Sequence, residues 1–191
     1  MNLKDYIGRL SDRYGIPSQL AFAIAEVETG TRMDAIDFDS TWQWLWDWEN
    51  NRPFRRLTDD EILSCCAPSG FSYPPQVHSC PERGLDREFI GQKSLWGPFA
   101  ARGSLLRSVG YPLEFLALLD DPQLATHYSL RIMQELRDRY FKRHGWSGVA
   151  AAWQTGRPRK LENGEYVNQD YLRQLTGAVP SLRKILWVAT S

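Results

Sequence analysis

The chain has 191 residues with 23 basic and 23 acidic side chains; 42% of its residues are hydrophobic and 24% charged. That length supports one domain with a sizeable core. The balanced charge leaves no global field to attract nucleic acid or an anionic membrane surface, and no stretch approaches the ~20 apolar residues that cross a bilayer. Eight Trp, eight Tyr and eight Phe make a high aromatic load. Such side chains fill cores, and their flat apolar faces also wall carbohydrate clefts. Three Cys, an odd count, do not read as a disulfide framework.

The N-terminal stretch places Leu3, Tyr6, Ile7, Leu10 and Tyr14 at helical spacing. It reads as an amphipathic helix and not as a signal peptide. The expectation is synthesis in a cytoplasm with no general export signal of the chain's own.

Ile16 to Gly30 predicts the helix that organises the chain. Pro17 suits a first helical position, where its missing N–H costs nothing. Gly30 suits a left-handed C-terminal cap. At about 100° per residue, Leu20, Ala21, Ala23, Ile24 and Val27 share one arc. Glu28 falls on that arc and Glu26 outside it. Burial and the negative end of the helix dipole would both raise the Glu28 pKa, which suits a general acid. The alternative is a Glu28 at the edge of the arc that reaches into water, as most charged side chains do.

Residues 31–56 carry Trp42, Trp44, Trp46 and Trp48 in alternation. The spacing suggests a strand; the interleaved Gln43, Asp47 and Glu49 with Pro53 fit a short helix or an irregular lobe equally well. These Trp either pack a lobe or wall a sugar groove. Thr58 to Glu61 has the pattern of a capping box, opening a short helix through Cys66. Residues 67–92 are rich in Pro, Gly and Ser and read as a long loop. Cys65, Cys66, His78 and Cys80 have poor zinc-ligand spacing beside paired CxxC motifs, so buried free thiols are expected and no metal.

From Trp96 the chain reads as helical. One helix is predicted over 98–109, a short one from Pro112 to Leu119, and a long one from Asp121-Pro122 to near Gly145. Ser147 opens a small-residue helix ended by Gly156. A polar loop over 157–168 and helices over 169–177 and 180–188 complete the chain.

The order of motifs resembles the lysozyme-like lytic transglycosylase (SLT-type) domain, in its phage-type form. The family's A-I-x-x-E-S/T-G helix is matched by Ala23 to Gly30, with Glu28 in the place of the catalytic Glu. A Ser-x-Gly-Leu-Met-Gln-like turn is matched by Ser94 to Phe99, a D-P-x-x-N-like helix start by Asp121 to Leu124, and A-A-Y-N-x-G by Ala151 to Gly156. Gly164 to Leu172 resembles the G-x-Y-V-N-Q-x-Y-V ending of phage members. Three positions depart: Ala100 stands for the family's Gln, Trp153-Gln154 for its Tyr-Asn, and Leu124 where Asn is common.

The resemblance implies a mainly α, lysozyme-like single domain over 1–191, with an aromatic-rich, irregular insertion over about 31–92 whose lobe covers about 37–92. It implies peptidoglycan glycan strands as the partner and cleavage of the β-1,4 bond between N-acetylmuramic acid and N-acetylglucosamine. Glu28 would be the general acid and base. Ser94, Gly97, Phe99, Trp153, Gln154 and Tyr171 would be substrate-binding residues, with the Glu28 helix, the Ser94–Phe99 turn and the Trp153 helix converging on one groove, and no cofactor. The departures leave open altered specificity, slow catalysis or a binding-only fold.

Three functional readings follow. The first is a phage virion-associated, wall-penetrating transglycosylase, acting in the periplasm and wall beside other virion proteins. The second is a hydrolytic lysozyme or endolysin pairing Glu28 with Asp37 or Asp39. The third is a catalytically inactive wall-binding or structural virion protein. Nucleic-acid binding and membrane insertion are not expected. Arg157, Arg159 and Lys160, following the Trp153 helix, either help hold carboxylates of the wall or form a solvated loop.

Overall fold

Amphipathic spacing sets the helices of the first unit. The computed structural model describes residues 3–75 and 84–187, and the chain divides into two units, residues 1–31 with 130–191 and residues 32–129. The fold is mainly helical with a small antiparallel sheet.

In the first unit, α1 (Leu3–Arg13) buries Ile7 and Leu10, and α2 (Ser18–Thr29) buries Leu20, Ala21, Ala23, Ile24 and Ala25. Each fully buried Leu or Ile contributes about 1.5–3 kcal/mol. Pro17 stands one position before α2 (φ −57°, ψ 124°), not inside its first turn as expected. Its extended ψ brings the chain into the helix. Gly30 ends α2 at φ 64°, ψ 32°, with its N–H bonded to Glu26 O and the Thr31 N–H to Ala25 O. This left-handed cap is the one the sequence predicts.

Helix α2 packs on α1 and on α8 (Gln169–Ala178), whose buried face holds Tyr171, Leu172 and Leu175. A 3-10 turn (Pro180–Leu182) and α9 (Arg183–Leu186) follow α8.

The long helix α7 (Pro122–Thr155) is broken at Gly145, where φ 60° and ψ −165° lie outside helical values. Only glycine reaches this backbone conformation without strain. Beyond the break, Val149, Ala150, Ala151 and Ala152 are buried. The expected loop over 157–168 is a small hairpin: Val167 N–H bonds Arg159 O, Leu161 N–H bonds Glu165 O, and Lys160 pairs with Tyr166.

The second unit contains the aromatic stretch together with more regular structure than the sequence suggests. Strands β1 (Ile36–Phe38), β4 (Ser94–Trp96) and β5 (Ala101–Arg102) form an antiparallel sheet in the order β1-β4-β5. Strands β2 (Trp46–Asp47) and β3 (Arg52–Pro53) form a separate pair. The Trp alternation is a strand only at Trp46–Asp47. Leu45 and Asp47 between the Trp are buried, while Trp44 is 51% exposed.

Leu45, Leu57, Phe71 and Phe89 form this unit's core cluster, with Trp42 packed against it. An apolar cavity of about 340 Å³ in the same unit is lined by Ile36, Ile90, Trp96, Phe115 and Leu116.

Several expectations are corrected here. The capping box at Thr58 and Glu61 is present, but its helix α3 stops at Leu63 (Asp59–Leu63). Helix α4 (Gly84–Lys93) occupies the end of the predicted loop; it buries Glu88, Gln92 and Lys93 and so lacks a readable apolar face. The helix expected over 98–109 is strand β5 followed by α5 (Gly103–Ser108). Sheet pairing with β4 takes the residues that helical spacing alone would claim. The helix expected from Pro112 reduces to α6 (Ala117–Asp120).

Cys65 and Cys66 are exposed rather than buried, because short α3 buries no side chain. His78 and Cys80 lie outside the described residues. Among those residues no cluster of three or more His, Cys, Asp or Glu could hold a metal, and no helix is long and apolar enough to cross a membrane.

Candidate functional site

The cap at Gly30 fixes where α2 ends, and Glu28 lies two residues before it. Glu28 is half-buried, whereas Glu26 is exposed. Desolvation pushes the Glu28 carboxyl above its ordinary pKa; hydrogen bonds from the Tyr171 and Trp153 side chains partly oppose that rise. The Tyr171 hydroxyl donates to Glu28 Oε1 at 2.7 Å. The Trp153 indole, whose only polar atom is a donor, supplies the other bond. Burial and the adjacent Glu28 in turn push the Tyr171 phenol well above its usual value. Tyr171 therefore stays a proton-bearing donor across the working pH range.

Three elements deliver these groups: Glu28 comes from α2, Trp153 from α7 beyond the Gly145 break, and Tyr171 from the first turn of α8. Asn168, just before α8, ties two of them together. Its Nδ2 donates to Ala151 O at 3.1 Å and to Gln154 Oε1 at 2.9 Å. The Asn168 side chain makes no cap bond to α8. It serves instead as a clip between the start of α8 and the Trp153 helix. Gln154 is exposed and holds this clip.

The structure thus brings Glu28, Trp153 and Tyr171 into hydrogen-bond contact, with Gln154 beside them through Asn168. Ser94, Gly97 and Phe99 belong to the second unit. The Ser94 hydroxyl donates to Ile90 O at 2.9 Å, Phe99 is fully buried, and Gly97 (φ 68°) donates its N–H to Ala35 O at 2.8 Å. Ala100, where the resembled family has Gln, closes the same turn by bonding Gly97 O at 3.0 Å.

Chemically, the site is one carboxyl whose pKa burial raises, with one of its oxygens fixed by a phenol. An acid held in this way can give a proton to an acceptor and recover it, which is general acid–base behaviour. Comparison of the chain with protein-family models, with curated proteins and with solved structures finds no match.

The Asn168 clip was not anticipated, and a polar residue just before a helix normally reads as a cap. Lys160, which the sequence leaves either at the rim of the groove or in a solvated loop, is exposed and lines a cleft with Arg143, His144 and Ser147, on which neither Glu28 nor Trp153 borders.

The two donors can be tested directly. A hydrogen bond to a carboxylate favours the charged form. Tyr171→Phe removes such a bond, so the Glu28 titration midpoint, read from its side-chain carboxyl carbon by NMR, moves to higher pH. Trp153→Phe shifts it in the same direction. A midpoint that falls or stays in both variants contradicts this account of the site.

Proposed function

We propose that the protein is a peptidoglycan lytic transglycosylase with Glu28 as its single general acid and base. The observation that carries this reading is the desolvated Glu28 carboxyl at the end of α2, held by the Tyr171 hydroxyl and the Trp153 indole. The order of motifs, similar to that of lysozyme-like transglycosylases, supplies the substrate: the β-1,4 bond between N-acetylmuramic acid and N-acetylglucosamine.

Protonated Glu28 gives its proton to the leaving glycosidic oxygen as the bond to the muramoyl C1 breaks. The carboxylate so formed takes the proton of the muramoyl 6-hydroxyl, whose oxygen closes onto C1. The products are a 1,6-anhydro-muramoyl end and a free N-acetylglucosamine end. Glu28 finishes protonated, and no water is consumed. Tyr171 and Trp153 steady the carboxylate between the two proton transfers, when it carries charge in a partly dry site.

The state of Asp39 argues against it as the hydrolytic partner, one of the two carboxylates that hydrolysis could use. A hydrolytic partner needs a carboxylate free to hold a water. Asp39 accepts from the Thr41 N–H at 2.9 Å and the Thr41 hydroxyl at 2.6 Å, and pairs with Arg102 at 3.0 Å. Burial pushes its pKa up, but the Thr41 bonds and the Arg102 charge outweigh that and hold the carboxyl below its ordinary value. Asp39 is thereby a weak base with its lone pairs in use. The phage-like ending over Gly164 to Leu172 supports a virion-associated enzyme that acts on the wall from outside.

The test is the product. Sacculi treated with the protein release anhydro-muropeptides, lighter by one water than lysozyme products in mass spectra. Reducing-end muramic acid as the dominant product overturns the transglycosylase route. Sacculi left intact overturn the enzymatic reading.

A further inference from the structure

We propose that the first unit carries a second ligand site, a polar cleft at the Gly145 break that binds a carboxylate-bearing sugar. The inference rests on the wall-cleaving reading for its choice of ligand, a muramoyl residue free of its peptide stem, but stands on its own geometry. The cleft has a volume of about 570 Å³, enough for a monosaccharide and its substituents. Its walls bring Arg143, His144 and Ser147 from α7 together with Lys160, Asn163 and the exposed Trp187.

Its charge is positive and available. Among the described residues, neither Arg143 nor Lys160 pairs with a carboxylate. Glu165, the acid on the same wall, is already engaged: it accepts from Asn163 Nδ2 at 3.1 Å and faces Arg173 at 3.6 Å. Two cations therefore face the cleft with no carboxylate partner among the described residues.

The cleft is also held in place. Lys160 lies on the hairpin, with its Nζ 5.2 Å from the centroid of the Tyr166 ring. Tyr166 is buried, and its hydroxyl donates to His144 O at 3.3 Å. The hairpin is thus anchored to the helix at the break, and the ammonium spends less entropy on binding than a free lysine does. Trp187, half-exposed at the wall, offers a flat apolar face of the kind on which a pyranose ring packs. A ligand with a flat apolar face and an adjacent carboxylate suits both features. N-acetylmuramic acid whose lactyl carboxyl carries no peptide has both, while N-acetylglucosamine has the ring without the carboxylate.

Ser147 and Trp153 are six residues apart on one helical run, roughly 9 Å. Neither Trp153 nor Glu28 lines the cleft, so it is a site separate from the Glu28 carboxyl.

The test is an NMR titration of the full-length protein with N-acetylmuramic acid and, separately, N-acetylglucosamine. Expected are shifts at the Ser147 and Lys160 amides and the Trp187 indole with the first probe and none at equal concentration with the second. Arg143→Ala with Lys160→Ala weakens the first probe's binding about tenfold or more, the effect of losing a charge-assisted hydrogen bond. Both side chains are exposed, so the double variant folds.

Equal binding of the two probes overturns the proposal. So does unchanged affinity in the double variant, or shifts confined to the surroundings of Glu28. A protein that passes this test yet leaves sacculi intact keeps the cleft and loses the enzymatic function. One that cleaves sacculi but fails the test loses only the cleft.

Discussion

Glu28→Gln lowers the rate of glycan release from sacculi by about 10³-fold or more, within the range that general acid–base groups contribute. The amide keeps the shape and still accepts from Tyr171, but it has no proton to give. Glu26→Gln, on the exposed side of α2, leaves the rate unchanged within about twofold. A rate lost in Glu26→Gln and kept in Glu28→Gln would reassign the acid.

Stability distinguishes the catalytic loss from unfolding. The Glu28 pKa is raised on folding, mainly by desolvation. A carboxyl raised in this way holds its proton more tightly folded than unfolded. Its contribution to stability is full below the unfolded pKa and is lost as pH rises through the folded one. Glu28→Gln removes that loss, so its melting temperature at neutral pH equals or exceeds that of the parent protein. Thermal unfolding across pH checks this, and a melting temperature that falls at neutral pH would show that the Glu28 charge is well solvated.

Glu88→Ala destabilises the protein by about 3–5 kcal/mol. The Glu88 and Arg107 side chains are both fully buried in the second unit, joined by Nη2–Oε2 at 2.6 Å and Nε–Oε1 at 2.7 Å. Gln92 Nε2 donates to Glu88 Oε1 at 2.9 Å, and Arg107 also donates to the Tyr111 carbonyl. Phe115 and Tyr111 cover the guanidinium, with centroids 4.1 Å and 5.0 Å from its carbon. Removing the carboxylate strands a buried guanidinium without its counter-ion.

Urea denaturation should show a lower midpoint with an unchanged slope. The double change Glu88→Leu with Arg107→Met removes both charges and recovers most of the loss. A loss under about 1 kcal/mol for Glu88→Ala would place the pair in water, where such bridges contribute little.

Features governed by near neighbours were legible from the sequence. The buried faces of α1 and α2 follow from the spacing of Ile7, Leu10, Leu20 and Ile24. The Gly30 cap and the Thr58–Glu61 capping box follow from residue types at fixed offsets. The proximity of Glu28 to the apolar arc of α2 was equally local, since helical geometry alone sets it.

Features that depend on distant partners were not legible. Helix α4 was hidden because its inward face carries Glu88, Gln92 and Lys93, which look solvent-facing until Arg107 and the Ile62 carbonyl arrive to meet them. The four alternating Trp left a strand, a short helix and an irregular lobe open, and packing around Leu45, Phe71 and Phe89, which turns Leu45 inward, decided between them. The place of Lys160 stayed open in the sequence because the hairpin register, and not its distance along the chain from Trp153, decides where its side chain goes.

The sequence by itself determined which carboxyl sits on the inner arc of α2 and where that helix ends, because both depend on contacts within one or two turns. Only the tertiary structure decided that a phenol 143 residues further along the chain, together with an indole from α7, would close on it. Desolvation and hydrogen bonding depend on what surrounds a group in space, and that is set when α2, α7 and α8 pack.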